Sequence, residues 1–300
     1  MIGGMTARRW WLAQTTDTKR RFADAARAYR QAIGMTAATG LGLIGIFLSH
    51  CMELDPWTHL WRLFIISDQI IDEIADQEVS IILSSMDKCC LLSTEHSIYK
   101  RVAGVTSRLL EANSNVSEIR KRKWSLVVLD NPKLNAFVMP NGFVFVSTGL
   151  ATMVNDDQLS IIIGHELAHC MLRHMNNYNS VILAVRVLCL LPIAAVLSTT
   201  LPLSQALLAV MMCQFVLHVG VKLTKQRSHE TEADRVGFEL AANACVDVTQ
   251  GYQFWESISV LNGPPKQFWW MQTHPTDKSR AQHLYNLIPV AKKLQKLAGC

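Results

Sequence analysis

Two histidines bracket a glutamate in the stretch GHELAH, at His165, Glu166 and His169. On a helix each residue advances by about 100°, so positions four apart share a face. His165 and His169 can therefore turn both imidazoles toward one metal ion, with Glu166 beside the place where a water on that ion would sit. Such HExxH spacing suits two zinc ligands and a general base. Hydrolytic zinc needs three protein ligands and an open fourth position, so a third ligand has to come from elsewhere. A metzincin would supply it with a glycine at 172 and a histidine at 175, but the chain has Leu172 and Met175. His174 lies nine residues from His165. On a helix running from about Gln158 to Asn176 it falls on the opposite face, as an exposed or outer-layer histidine.

The better third ligand is in RSHETEADRVGFELAANA, where Glu230 and Asp234 are again four apart on a helical pattern. Alone, this stretch reads as a solvated acidic helix, with Glu232 and Glu239 as its other acids. Beside HExxH, Glu230 completes a His₂Glu set for one zinc per chain. Asp234 is placed to accept a hydrogen bond from a ligand imidazole and fix its orientation. Zinc bound there would polarise a scissile carbonyl and bring the pKa of a water from near 16 toward about 7. Glu166 would take the proton and return it to the leaving amine. The chemistry implied is peptide hydrolysis.

The elements that must position these residues belong to a chain partly in lipid. Half of its residues are hydrophobic and 18% are charged, against the usual quarter, and mean hydropathy is positive. No Asp, Glu, Lys or Arg occurs between Gln31 and Met52, about the 20 residues that cross a bilayer. The flanks are lopsided. Arg8, Arg9, Lys19, Arg20, Arg21, Arg27 and Arg30 precede the segment, while acids outnumber Arg62 after it. The positive-inside rule leaves residues 1–30 in the cytosol or matrix and sends the rest across. The same Arg-rich, Glu-free tail also suits a targeting segment. It carries most of the net charge of +5, so no nucleic-acid partner is implied. Gly34, Ala38 and Gly42 form a small-residue stripe of the kind that lets helices of a homo-oligomer approach. The eight cysteines show no CxxC pair and say little about redox compartment.

Residues 53–96 read as a helical linker, with one or two amphipathic helices between Thr58 and Ser85. SIYKRVAGVTSRLLEA (97–112) has helical spacing, and WSLVVLD is a good strand. In LNAFVMPNGFVFVSTGLA, Asn141-Gly142 between apolar runs signals a hairpin with a two-residue turn. A second apolar region, 180–223, contains only Arg186 and Lys222 as charges and is punctuated by Pro192 and Pro202.

At this point the chain resembles the gluzincin metallopeptidases, the family of the CAAX prenyl endopeptidases and the bacterial membrane heat-shock proteases. GHELAH, ETEAD and THPTDKSR carry the resemblance, together with YKRVAGVTSRLLEANSNV, NAFVMPNGFVFVSTGL and EADRVGFELAANACVDV, in order from about Ser97 to Cys300. It is nearest to the family's mitochondrial inner-membrane branch, whose activity overlaps that of the m-AAA protease. The resemblance implies zinc on His165, His169 and Glu230, with Glu166 activating water. It also implies His274 of the His-Pro pair near the oxyanion, and Arg280 nearby. An edge strand beside the cleft, here Asn135, Ala136 and Phe137, would pair with substrate backbone. It implies further that the catalytic domain faces the intermembrane space and processes membrane-anchored proteins under stress, among them a dynamin-like fusion GTPase. The rival addresses are the endoplasmic reticulum and a bacterial inner membrane. A silent membrane scaffold with structural zinc would want a fourth ligand that is not evident.

The expected fold is α+β and mainly α-helical: a gluzincin zinc metallopeptidase domain over 97–300 with a small β-sheet or hairpin, an N-terminal transmembrane helix (31–52) and a hydrophobic membrane-facing insert (180–223). His169 and Glu230 flank the insert and hold one ion, so the insert starts and ends on one side of the bilayer. Arg186 within a span, at ~3 kcal/mol, and the prolines favour a hairpin that lies on or dips into the bilayer over one that crosses twice.

Overall fold

The computed structural model describes residues 2–85, 90–260 and 278–300. The chain opens with α1 (Ile2–Ala13), α2 (Thr16–Ala28) and α3 (Arg30–His50). A short ribbon follows, in which β1 (Met52–Leu54) pairs antiparallel with β2 (Trp61–Leu63). Next come α4 (Asp68–Ser85), α5 (Ser97–Ala112), α6 (Ser117–Arg120), β3 (Ser125–Leu129), β4 (Ala136–Val138) and β5 (Phe143–Ser147). After α7 (Thr148–Met153) and α8 (Asp156–Met171), α9 (His174–Val185) runs through a π-helical turn at Arg186–Leu190 into α10 (Leu191–Thr200). Among the described residues, α11 (Leu203–Asn243), α12 (Thr249–Val260) and α13 (Lys278–Ala298) follow.

Two compact units result. The first holds residues 1–66 and 176–225, the second 67–175 and 226–300. Among the described residues, three helices are long and apolar enough to cross a membrane: Arg30–His50, His174–Thr200 and Leu203–Asn243, the last continuing into the second unit. None of the residues of α3 is buried; Met35, Leu41, Ile46 and Phe47 are all exposed. Pro192 does not break its helix; it directly follows the π-helical turn at Arg186–Leu190, where the hydrogen-bond ladder is already offset. Near the N-terminus, Trp10 and Trp11 of α1 meet Phe22 of α2 edge to face. The helical pattern over Thr58–Ser85 holds only from Asp68. Before it, the Asp55 carboxylate accepts the backbone N–H groups of Trp57 and Thr58, which fixes a turn between β1 and β2 where a helix would have started.

The second unit is built on a three-stranded sheet in the order β3-β5-β4, with β3 parallel and β4 antiparallel to β5. Helix α4 lays Ala75 and Val79 against Leu129, Met139 and Phe145, and Phe137 stacks on Phe145 across the strands. The β4–β5 turn differs from a two-residue one. Gly142 N–H donates to the Met139 carbonyl at 2.9 Å, so Pro140 and Asn141 occupy the turn centre. Gly142 follows in the left-handed region at φ 92, a three-residue loop. Its glycine is required twice over, because a Cβ there would also meet the Lys123 carbonyl at 2.5 Å.

Candidate metal centre

Helix α8 starts where the sequence can cap it. The Asn155 side chain accepts Gln158 N–H, and the Gln158 side chain accepts Asn155 N–H in return. Asp156 and Asp157 add negative charge to the first turn, where the helix dipole favours it. Arg101 of α5 then holds this end, donating to Asp156 and to the carbonyls of Ala151 and Val154. The helix carries His165, Glu166 and His169, with His165 and Glu166 buried.

Opposite lies the second-unit part of α11. The two helices touch backbone to backbone at a pair of glycines. A Cβ on Gly164 would meet the Gly237 carbonyl at 2.8 Å, and one on Gly237 would meet His165 N at 2.6 Å. Gly237 is three residues after Asp234 and seven after Glu230, on the face those acids occupy. The close approach thus delivers both carboxylates to HExxH. His165 Nε2 lies 3.1 Å from His169 Nε2 and 3.4 Å from Glu230 Oε2, and His169 Nε2 lies 3.5 Å from Glu230 Oε1. Tetrahedral zinc at 2.0–2.1 Å from nitrogen and oxygen separates its ligand atoms by about 3.3 Å. These residues fit zinc, and they form a group that could hold a metal.

The charges agree. Among the described residues, Glu166, Glu230 and Asp234 are buried with the Arg280 guanidinium, a deficit of positive charge that a divalent cation would fill. Arg280 forks onto Asp234, with Nε to Oδ2 at 2.9 Å and Nη2 to Oδ1 at 2.5 Å, and its Nη1 reaches Glu230 Oε2 at 3.0 Å. His165 Nδ1 lies 3.0 Å from Asp234 Oδ1, as an orienting carboxylate requires. Burial pushes the Asp234 carboxyl up, but Arg280 and His165 outweigh it and hold it below the usual range. For His165, burial pulls down, yet Asp234 and Glu230 together raise its pKa to about 9 in the metal-free chain.

The structure thus brings together His165, Glu166, His169, Glu230, Asp234 and Arg280, while His274 lies outside the described residues. Ala136 and Phe137 lie in β4, an edge strand of its sheet, and Asn135 directly precedes it. Beside it runs α8, whose Cys170 thiol lies 3.6 Å from the carbonyls of Met139 and Pro140. His174 keeps the outer-layer place expected of it, but not the helix face. Helix α8 ends at Met171, and Arg173 takes a left-handed φ of 55, so the 100° count from His165 lapses there. His174 turns back, buried, with its Nδ1 2.8 Å from His169 Nδ1. Pattern reading also passed over Gly164 and Gly237, although the placement of Gly237 on the face of Glu230 and Asp234 was a usable signal.

Residues 100–288 match the family model Peptidase family M48. Over its whole length the chain is 32% identical to "Metalloendopeptidase OMA1, mitochondrial" of Bos taurus, covering 58% of that protein. The relatives of the same name in Danio rerio and Homo sapiens are 32% and 29% identical over the whole chain, which covers 63% and 58% of them. The chain therefore spans about three fifths of these relatives' length. With a matched region that contains both ligand helices, the chain belongs to peptidase family M48, a family of zinc-dependent metalloproteases.

Proposed function

We propose that this chain is a membrane-anchored zinc metalloendopeptidase with one zinc held by His165 Nε2, His169 Nε2 and Glu230. The observation that carries the reading is the convergence of those three groups at zinc spacing with Glu166 next in the same helix. When bound, zinc supplies Lewis-acid polarisation of a carbonyl and acidifies water. The protein does the rest. Glu166 takes the proton of the attacking water and returns it to the leaving amine. Asp234 keeps the His165 proton on Nδ1 and leaves Nε2 free for the metal. Arg280 clamps Asp234 and Glu230, which holds the ligand set in register; this is a positioning role rather than contact with the oxyanion.

An extended substrate adds to the free edge of β4. Ser147 N–H donates to the Asn135 carbonyl and Met139 N–H to that of Phe143, so alternate residues 135, 137 and 139 turn their backbone groups to β5. Those of Ala136 and Val138 face outward and are the groups that pair with substrate.

The membrane reading follows from three apolar helices. Helix α3 anchors the chain, and the α9–α10 and α11 pair, each long and apolar enough for a span, crosses and returns in place of the shallow hairpin favoured from sequence. Arg186 is compatible with this. It lies 14 residues before Thr200, about 21 Å of helix, so in a ~30 Å hydrocarbon core it sits nearer the returning end and can reach the headgroups. An inner-membrane address with the catalytic unit in the intermembrane space is supported by the charge asymmetry around α3. The disulfide Cys245–Cys300 adds support, since such bonds persist in oxidising compartments. By resemblance, the substrates are membrane-anchored proteins processed in stress response and quality control, a dynamin-like fusion GTPase among them; the Gly34, Ala38 and Gly42 stripe on α3 supports a homo-oligomer.

The test compares zinc content and chelator-sensitive proteolysis in wild type and Glu230→Gln. One zinc per chain with cleavage in wild type, and loss of both in the variant, is the expected result. Retention of both in the variant would overturn the ligand assignment.

A further inference from the structure

The two histidine ligands are supported differently. His165 turns its second nitrogen to a carboxylate, Asp234 at 3.0 Å. His169 turns its second nitrogen to another imidazole, His174 Nδ1 at 2.8 Å. The proton positions along this contact follow from the metal side. His169 Nε2 faces the other ligand atoms, so its ring proton must sit on Nδ1 when a metal is bound. His174 Nδ1 is then the acceptor, which places the proton of a neutral His174 on Nε2. That nitrogen lies 3.3 Å from Glu232 Oε2, and Glu232 Oε1 in turn accepts from Ser228 Oγ at 2.7 Å. His174 is buried, and His229 stacks on it with centroids 4.1 Å apart and planes 7° from parallel. Its ring is thereby held at the angle the contact needs.

Resting on the zinc reading above, we propose that His174 is a positioning residue for the metal. It is the middle link of a directed chain His169–His174–Glu232–Ser228 that fixes the tautomer and ring plane of one ligand. The chain geometry makes this contact at a cost. Arg173 takes a left-handed backbone conformation, unfavourable for a residue with a Cβ, and its guanidinium is tied to Asp68 at 2.9 Å. That bend returns the chain so that His174 meets a residue only five positions earlier. Outer partners of a ligand histidine are worth 10–100-fold in metal affinity.

The experiment uses the full chain in detergent. Zinc affinity is read by chelator competition, the coordination sphere by the visible spectrum after cobalt substitution, and folding by thermal unfolding. His174→Phe keeps a flat ring against His229 but offers no acceptor; His174→Gln restores a carbonyl oxygen. Expected are about 10–100-fold weaker zinc binding and shifted cobalt bands in His174→Phe, with at least part of both recovered in His174→Gln. Glu232→Leu, which cuts the chain one link further out, gives a smaller loss in the same direction. Wild-type affinity and spectrum in His174→Phe, or no recovery in His174→Gln, would overturn the proposal. Should His174→Phe fail to fold, unchanged zinc affinity in Glu232→Leu overturns it equally. Wild-type protein that binds no zinc is a separate failure, that of the metal site itself.

Discussion

Replacing Gly237 with alanine tests whether the glycine contact sets the ligand geometry. The added Cβ would stand 2.6 Å from His165 N and 2.7 Å from its Cα, whereas ordinary contact begins at 3.4 Å. Both obstacles are backbone, so no side chain can rotate away, and the helices must part by about 0.8 Å. Overpacking of this kind costs roughly 1–3 kcal/mol, only partly offset by the ~1 kcal/mol that alanine gains over glycine in a helix. The same movement widens the His–Glu230 separations from 3.4 and 3.5 Å to about 4 Å, past the ~3.3 Å that zinc accommodates. Zinc affinity should fall at least tenfold, read by chelator competition, with a lower unfolding midpoint. Gly104→Ala in α5 is the control, because a Cβ there meets nothing within 4 Å; it should leave zinc binding unchanged. If Gly237→Ala behaves like Gly104→Ala in both assays, the helices are not held by this contact and the reasoning fails.

Glu166→Gln should keep the fold and the zinc while cleavage drops 10²–10⁴-fold, the usual contribution of a general base; near-normal turnover removes Glu166 from the mechanism. The His165 pKa of about 9 predicts that zinc binding releases its proton. Apparent zinc affinity should then rise about tenfold per pH unit from 7 and level off near 9. The sign for stability is opposite. A pKa raised from 6.5 supports the zinc-free fold by about 3 kcal/mol below pH 6.5, and this is lost as pH climbs through 9. Titration of zinc affinity and zinc-free unfolding over pH 6–10 checks both, and a flat affinity profile contradicts the assignment. Cys300→Ser opens a bridge between residues 55 apart, worth about 4 kcal/mol by loop entropy. Denaturant unfolding with and without reductant measures it, and identical curves for variant and wild type would mean that no bridge forms.

Much of the site was legible because its spacing is local. HExxH and Glu230/Asp234 each follow the four-residue repeat of a helix, and the structure keeps both stretches helical. What escaped the pattern depended on events between residues. His174 was put on the wrong face because periodicity assumes a continuous helix, and the left-handed Arg173 ends that continuity. The Gly164–Gly237 contact is a tertiary fact whose local trace is only the absence of two side chains. Thr58–Leu63 carries apolar residues at helical intervals, but the Asp55 side chain captures the backbone donors a helix would need. Arg280 looks like any helix-starting arginine until α13 carries its guanidinium to Asp234.

The bridge between Cys245 and Cys300 closes residues 245–300 into a covalent loop. Its last helix, α13, is held to the rest of the second unit at both ends, by the Arg280 fork at one and the disulfide at the other. A single peptide break anywhere between the two cysteines leaves no free fragment. The cut chain keeps its apparent size on a gel until reductant is added, and then separates into two pieces. A broken molecule can therefore retain the guanidinium clamp on Asp234 and Glu230. Damage or self-cleavage in this stretch is invisible to any measurement of size made under oxidising conditions.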